Sequence, residues 1–173
     1  LTGSSVPVSD KIHHSGAGRI CKMKMYTMSL YESGDSSGEV SLKKLFENEI
    51  KNKRVNKVDL KRIAELIVRG GWPESINISI TGAMKIARSY IEAVLDKDII
   101  EIDGVKRDKS KMEMLLRSLA RNESTISANN VLMRDIDDNI TQEDVNISRN
   151  TVTDYLNTLN RLHLIENQNP FMY

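Results

Sequence analysis

Three capped amphipathic segments follow one another in the last third of the chain, and they restrict its fold more than any other feature. In "KSKMEMLLRSLARN" the apolar residues Met112, Leu115, Leu116 and Leu119 recur at three- and four-residue spacing, the signature of a helix with one buried face. "SANNVLMRDIDDN" predicts a shorter second helix. "SRNTVTDYLNTLNRLHL" predicts a third, capped by Ser148, with Val152, Tyr155, Leu156, Leu159 and Leu162 turned inward. A short extended piece, "HLIENQNPF", closes the set. Three helices and a strand are the order of a winged helix-turn-helix, in which Ile147 and Val152 straddle the turn and pack the third helix on the second.

The preceding residues also carry helical spacing. Ser41 suits the N-cap of "LKKLFENEIKN", with Leu42, Leu45 and Phe46 on one face. "NKVDLKRIAELIVRGG" repeats Leu60, Ile63, Ala64 and Ile67, then stops at Gly70-Gly71. "GGWP" is a sharp end, because glycine admits a left-handed turn and Pro73 cannot continue a helix. A long helix, roughly Thr81 to Asp98, has a stripe of Met84, Ala87, Tyr90, Ile91, Val94 and Leu95, and "DKDIIEIDGVKRD" supplies a turn at Asp103-Gly104. Further upstream, residues 1 to 20 read as loop. "ICKMKMYTMSL", Ile20 to Leu30, alternates apolar and polar side chains and predicts a strand, and "ESGDSSGEV" predicts an exposed turn cluster. Aromatic residues are only 5%, so Leu, Ile, Val and Met fill the apolar positions, as in a mainly helical core.

Charge and composition narrow the function classes. A net charge of +1 gives no global field toward nucleic acid or anionic lipid, so any such contact must come from a local patch. The lone Cys21 excludes an internal disulfide and a cysteine-based zinc site and fits a reducing compartment. No apolar run approaches the roughly 20 residues that a membrane-spanning helix needs. The start has no signal-peptide character, and the expectation is a cytoplasmic protein without membrane contact.

The third C-terminal helix would present Arg149, Asn150, Thr153 and Asn157 to whatever it docks against. Arginine can pair with guanine edges and asparagine with adenine edges, so these four are candidate nucleic-acid contacts. Asp154 on the same helix, the acidic run "RDIDDN" and a wing without Lys or Arg weigh against phosphate binding. Two readings therefore stay open: duplex DNA binding, and a packing and protein-interaction module.

Other clusters carry less. His13-His14 lack a partner ligand at metal spacing, and no metal site is expected. His163 reads as a surface or packing residue, and "SGAGR" lacks the Gly-Lys-Ser/Thr ending of a phosphate loop. Glu32, Asp35 and Glu39 read as a solvated turn, and Met23, Met25 and Met28 as core filler rather than a copper site. No nucleophile–base frame is evident, and catalytic residues are expected to be none.

"LTGSS…HSGAGRICKMKMYTMSLYESGDSSGEVSL" and "ELIVRGGWPES" together resemble the predicted AAA-superfamily ATPases of bacteria and archaea that carry a C-terminal domain of unknown function. The resemblance covers essentially the whole chain. It implies that Thr2, Gly3, Ser4 and Ser5 correspond to the sensor-like end of a core strand. It makes Arg19 a candidate to contact the γ-phosphate in its own or a neighbouring subunit, against the alternative of a loop arginine paired with a carboxylate. Trp72 stands where the family usually has another aromatic and Thr27 where it often has proline. The P-loop and the paired carboxylates that hold magnesium are absent here. The expectation is a fragment cut at both ends, with ATP and magnesium held by an upstream P-loop core of the same chain and no cofactor in this piece.

The expected organisation is a remnant of the ATPase core over 1–40, a helical lid or linker over 41–105, and a winged-helix-like domain over 106–173. The fold class is mainly α: a helical lid/linker bundle with a short N-terminal β segment, followed by the winged helix-turn-helix. The implied function is to couple nucleotide state to partner or DNA binding. A self-contained DNA-binding regulator and a protein-interaction or adaptor module are the alternatives.

Overall fold

The computed structural model describes residues 19, 21, 23–48, 58–139 and 147–168. Its helices are α1 (Leu42–Phe46), α2 (Leu60–Arg69), α3 (Ile80–Ala93), α4 (Ile99–Glu101), α5 (Lys109–Arg121), α6 (Asn129–Asp138) and α7 (Arg149–Arg161). A 3-10 turn covers Pro73–Ser75 and a π-helical run Val94–Asp98. The fold is mainly helical. None of the described helices is long and apolar enough to cross a membrane. Contacts divide the chain into a unit within Gly18–Ile91 and another that includes Glu92–Tyr173, whereas the sequence reading places its last boundary at 105/106.

The caps explain where the helices begin. Ser41, Asp59, Asp108 and Ser148 each accept a hydrogen bond from a backbone N–H three residues on, satisfying one of the donors that a helix start leaves open. Ser79 does the same for α3 through the N–H of Gly82.

In the first unit, α2 ends on two glycines that are required for different reasons. Gly70 has φ 66° and ψ −167°, a region closed to residues with a Cβ. Gly71 lies against the backbone of Thr27–Met28: a Cβ there would stand 2.6 Å from the Met28 carbonyl oxygen. The approach lets the Met28 N–H donate to the Gly71 carbonyl at 3.0 Å. Beyond the turn, the Ser75 hydroxyl is fully buried and donates to the Trp72 carbonyl, and the Trp72 and Tyr90 rings pack 4.5 Å apart.

The strand expected over Ile20–Leu30 is not formed: residues 21 and 23–29 are irregular backbone, and there is no strand among the described residues. A strand needs a ladder partner for its N–H and C=O groups, and the described part of the chain offers none. Met23 and Met25, expected as core filler, are each 91% exposed. The extended closing piece shows the same outcome, with 165–168 irregular and 169–173 outside the described residues.

The second unit holds most of the core. Val94, Leu95, Ile99 and Ile102 are buried with Met112 and Leu115 of α5, Leu132 and Ile136 of α6, and Val152, Tyr155 and Leu159 of α7. The inward positions read for α5 and α7 are thus largely the buried ones, Leu116, Leu119 and Leu156 being half-buried. Of the stripe expected over Thr81 to Asp98, Val94 and Leu95 are buried and Ala87, Tyr90 and Ile91 half-buried, whereas Met84 is exposed and Ala83 is buried in its place. The buried Ser118 hydroxyl donates to the Leu132 carbonyl and ties α5 to α6. Among the described residues no buried side-chain N or O atom lacks a partner.

Candidate functional site

Three arrangements concentrate chemistry, and each lies within one unit. The first is the outer arc of α7. Arg149, Asn150, Thr153 and Asn157 are all exposed, and at 100° per residue they share one side of the helix with Asp154 at its edge. The structure brings these four sequence candidates together. Val152, Tyr155 and Leu159 anchor the opposite side in the core, which fixes the direction in which the arc points. Asn129, the first residue of α6, donates its side-chain amide to the Thr153 hydroxyl at 3.0 Å. Thr153 in turn donates to the Arg149 carbonyl.

Sequence reasoning missed the second arrangement, the environment of Arg107. Its side chain is 4% exposed and fans onto Asp103 at 2.9 Å, Asp154 at 2.9 and 3.1 Å, and the carbonyls of Ile99 and Val105. Arg161 adds a second cation on Asp103. The Arg107 hydrogen bonds hold the Asp103 carboxyl down to about 2, and the same carboxylates raise the Arg107 guanidinium above its ordinary value. Asp154, counted against nucleic-acid binding, is therefore compensated within the fold. The Tyr155 hydroxyl, accepting from the Asp108 N–H, stitches the start of α5 to α7 at the same place.

The third arrangement corrects the reading of "ESGDSSGE" as a solvated turn at one residue, since Glu32 and Glu39 are exposed but Asp35 is largely covered. Asp35 accepts hydrogen bonds from Ser33, Arg69 and Arg62, each at 2.7 Å. The Ser33 hydroxyl first and the two guanidinium groups with it bring the Asp35 carboxyl down to about 2. Arg62 and Arg69 are seven residues apart, two turns of α2, on the side opposite Leu60 and Ile67. That spacing was the one sequence signal for the clamp.

The clamp turns the apolar stripe of α2 away from the body of its unit. Leu60 is 85% and Ile67 75% exposed, and Ile63 is also exposed. On α1, Leu42 and Phe46 are 74% and 87% exposed. A separate shallow cleft of about 470 Å³ is lined by Trp72, Glu74, Lys85, Ile86, Ser89 and Tyr90.

The remaining candidates are quickly placed. Arg19 is exposed in a turn, Cys21 is exposed, and His163 adopts φ 56° just after α7. Thr2, Ser4, Ser5, His13 and His14 lie outside the described residues. Among the described residues no group of three or more His, Cys, Asp or Glu side chains could hold a metal ion.

No curated protein and no solved structure matches this chain significantly. A family model does match it over residues 60–173, from the start of α2 onward, and the chain belongs to that family, described as a domain of unknown function, DUF8612.

Proposed function

We propose that this chain is the non-catalytic helical end of an AAA-type ATPase, docking through its first unit on a P-loop core and presenting a winged-helix-like second unit to a further ligand. The observation that carries the reading is the exposure of the apolar stripes of α1 and α2, Leu42, Phe46, Leu60 and Ile67 among them. Apolar surface of that kind marks an interaction site. The P-loop core is the favoured occupant because the resemblance assigns 1–40 to the end of that core. The bare stretch 23–29, with Met23 and Met25 in solvent, is what a strand becomes without its sheet neighbours.

In this reading the core binds ATP and magnesium, and Arg19 is the residue of this chain that reaches for the γ-phosphate. The test is the protein with its P-loop core joined ahead of Leu1. It should hydrolyse ATP with magnesium, and Arg19→Ala should lower kcat while leaving the KM for ATP closer to its original value. The 173-residue chain alone should not turn ATP over. Hydrolysis by the chain alone would sink the proposal.

The compensation of Asp154 by Arg107 favours duplex DNA as the ligand of the second unit, with α6 and α7 as the helix-turn-helix. Arg149→Ala should weaken duplex binding several-fold and reduce the slope of log affinity against log salt by about 1. Fluorescence anisotropy at low salt reads both quantities. A wild-type chain that gives no anisotropy change there leaves protein docking as the role of α7.

A further inference from the structure

We propose that the cleft between Trp72 and α3 in the first unit binds single-stranded nucleic acid. One base stacks on Trp72 and Tyr90 while Lys85 and Arg88 take the phosphates beside it. This site uses neither the α1 and α2 stripes nor the α7 arc, so it goes beyond both docking readings.

The Trp72 and Tyr90 rings, 4.5 Å apart and tilted by 54°, form an aromatic wall that Ile86 extends. The cleft of about 470 Å³ has room for one base with its sugar. Trp72 is held in place from several directions. A Cβ at Gly70 would stand 3.3 Å from its indole, the Gly71 carbonyl accepts from the Met28 N–H, and the buried Ser75 hydroxyl donates to the Trp72 carbonyl at 2.6 Å. A platform already in position spends little of its binding energy on ordering. Every base has a π-face, so aromatic stacking tolerates any sequence. In a duplex those faces are covered by neighbouring bases, and the cleft therefore selects unpaired strand.

The charges name an anion. Lys85 and Arg88 lie one turn apart on the exposed side of α3, with Ser89 beside them. Neither cation has an ion-pair partner among the described residues, whereas Arg62 and Arg69 of the same unit are committed to Asp35. Within Gly18–Ile91 the sequence carries 14 Lys and Arg against 8 Asp and Glu, and the rest of the chain 11 against 16. The net charge of +1 thus conceals a cationic unit, and it is the one that holds the cleft. Glu74, exposed at the rim, repels phosphate and turns the strand's backbone toward Lys85 and Arg88. A proline-rich peptide also fills aromatic grooves, but it has no use for two unpartnered cations.

Trp72 is the only tryptophan of the 173-residue chain, so its fluorescence reads the cleft directly. A short thymidylate strand should quench it at low salt, and a duplex of the same length should leave it unchanged. Lys85→Ala and Arg88→Ala should each weaken the strand several-fold and flatten the slope of log affinity against log salt by about 0.7. Glu74→Gln should tighten binding. With a labelled strand and anisotropy as the readout, Trp72→Leu should weaken it roughly tenfold and Trp72→Phe should recover part of the loss. Arg149→Ala should bind the strand as wild type does, which separates this site from α7. If Trp72→Leu lowers the melting temperature, the two α3 variants, at exposed positions, decide the matter. Absence of quenching in the wild type overturns the proposal. So does strand binding that Lys85→Ala, Arg88→Ala and Trp72→Leu all leave unchanged. Equal quenching by thymidine monophosphate at matched nucleotide concentration makes this a free-nucleotide site, and quenching by a polyproline peptide that the strand cannot displace makes it a peptide groove. Both results overturn the proposal as well, and neither touches ATP hydrolysis by the protein joined to its core.

Discussion

Arg107→Ala should destabilise the second unit by about 3 kcal/mol, because it leaves two carboxylates facing one another where a buried cation stood. In the wild type one guanidinium meets Asp103, Asp154 and the carbonyls of Ile99 and Val105. After its removal Asp103 keeps Arg161, at 3.3 Å, and the Val105 N–H, at 3.0 Å, and the two carbonyls lose a donor. Asp154 is half exposed and can recover water, which holds the effect at the lower end of what broken buried pairs cost. Urea denaturation followed by circular dichroism gives the number, and hydrogen exchange at the α7 amides shows where the loss falls. Arg107→Lys should recover only part of it, since one ammonium cannot bridge both carboxylates in the manner of the planar fork. A midpoint within about 0.5 kcal/mol of wild type, the usual range for surface changes, would show that the cluster contributes little.

The first unit has its own version of this experiment in Asp35→Ala, with an expected loss of about 3 kcal/mol. The substitution strips the carboxylate from Arg69, whose side chain is about 10% exposed, and leaves it the Ser33 hydroxyl and a long contact to the Gly70 carbonyl. Arg62 falls back on Glu65 alone. Trp72 is the only tryptophan of the chain and lies just beyond α2, so its fluorescence reports on this unit.

Acid gives a second readout. The folded-state value of about 2 lies below the ordinary 3.8, so the clamp stabilises the fold fully above about pH 4. That contribution disappears as pH falls toward 2 and the carboxylate is protonated. Asp35→Asn should be less stable than wild type at neutral pH and should lack this part of the acid-induced loss. A wild-type acid profile that Asp35→Asn reproduces in full would rule the clamp out as its source.

The described helices were legible because the information is local. Serine caps at 41 and 148, the three–four spacing of α2, α5 and α7, and the Gly-Gly-Trp-Pro stop each act within a few residues. The inner faces of α5 and α7 could be read for the same reason, since both pack on α6, the helix between them in the chain. The α2 stripe shows the limit. Leu60, Ile63 and Ile67 announce a face, but periodicity is silent on whether the chain itself covers it, and here it stays in solvent. The alternating stretch after Ile20 fails as a strand for a related reason, because pairing requires a neighbour that alternation cannot supply.

The four α7 candidates could be found from sequence because they belong to one helical face. The ion clusters could not. Asp35 meets Arg69 across 34 residues and Arg107 meets Asp154 across 47, separations at which charge patterning carries no register. The contact of Asn129 with Thr153 was invisible for the same reason until α6 and α7 were packed.

What the amino-acid order determined alone is where helices start, where they stop and which positions along each are apolar, since capping, propensity and periodicity are settled within a turn or two. Tertiary structure alone decided which of those faces are covered, which carboxylates are neutralised and how the α7 arc is aimed. Those outcomes depend on groups brought together from distant parts of the chain, where burial and pairing energies operate and local rules do not.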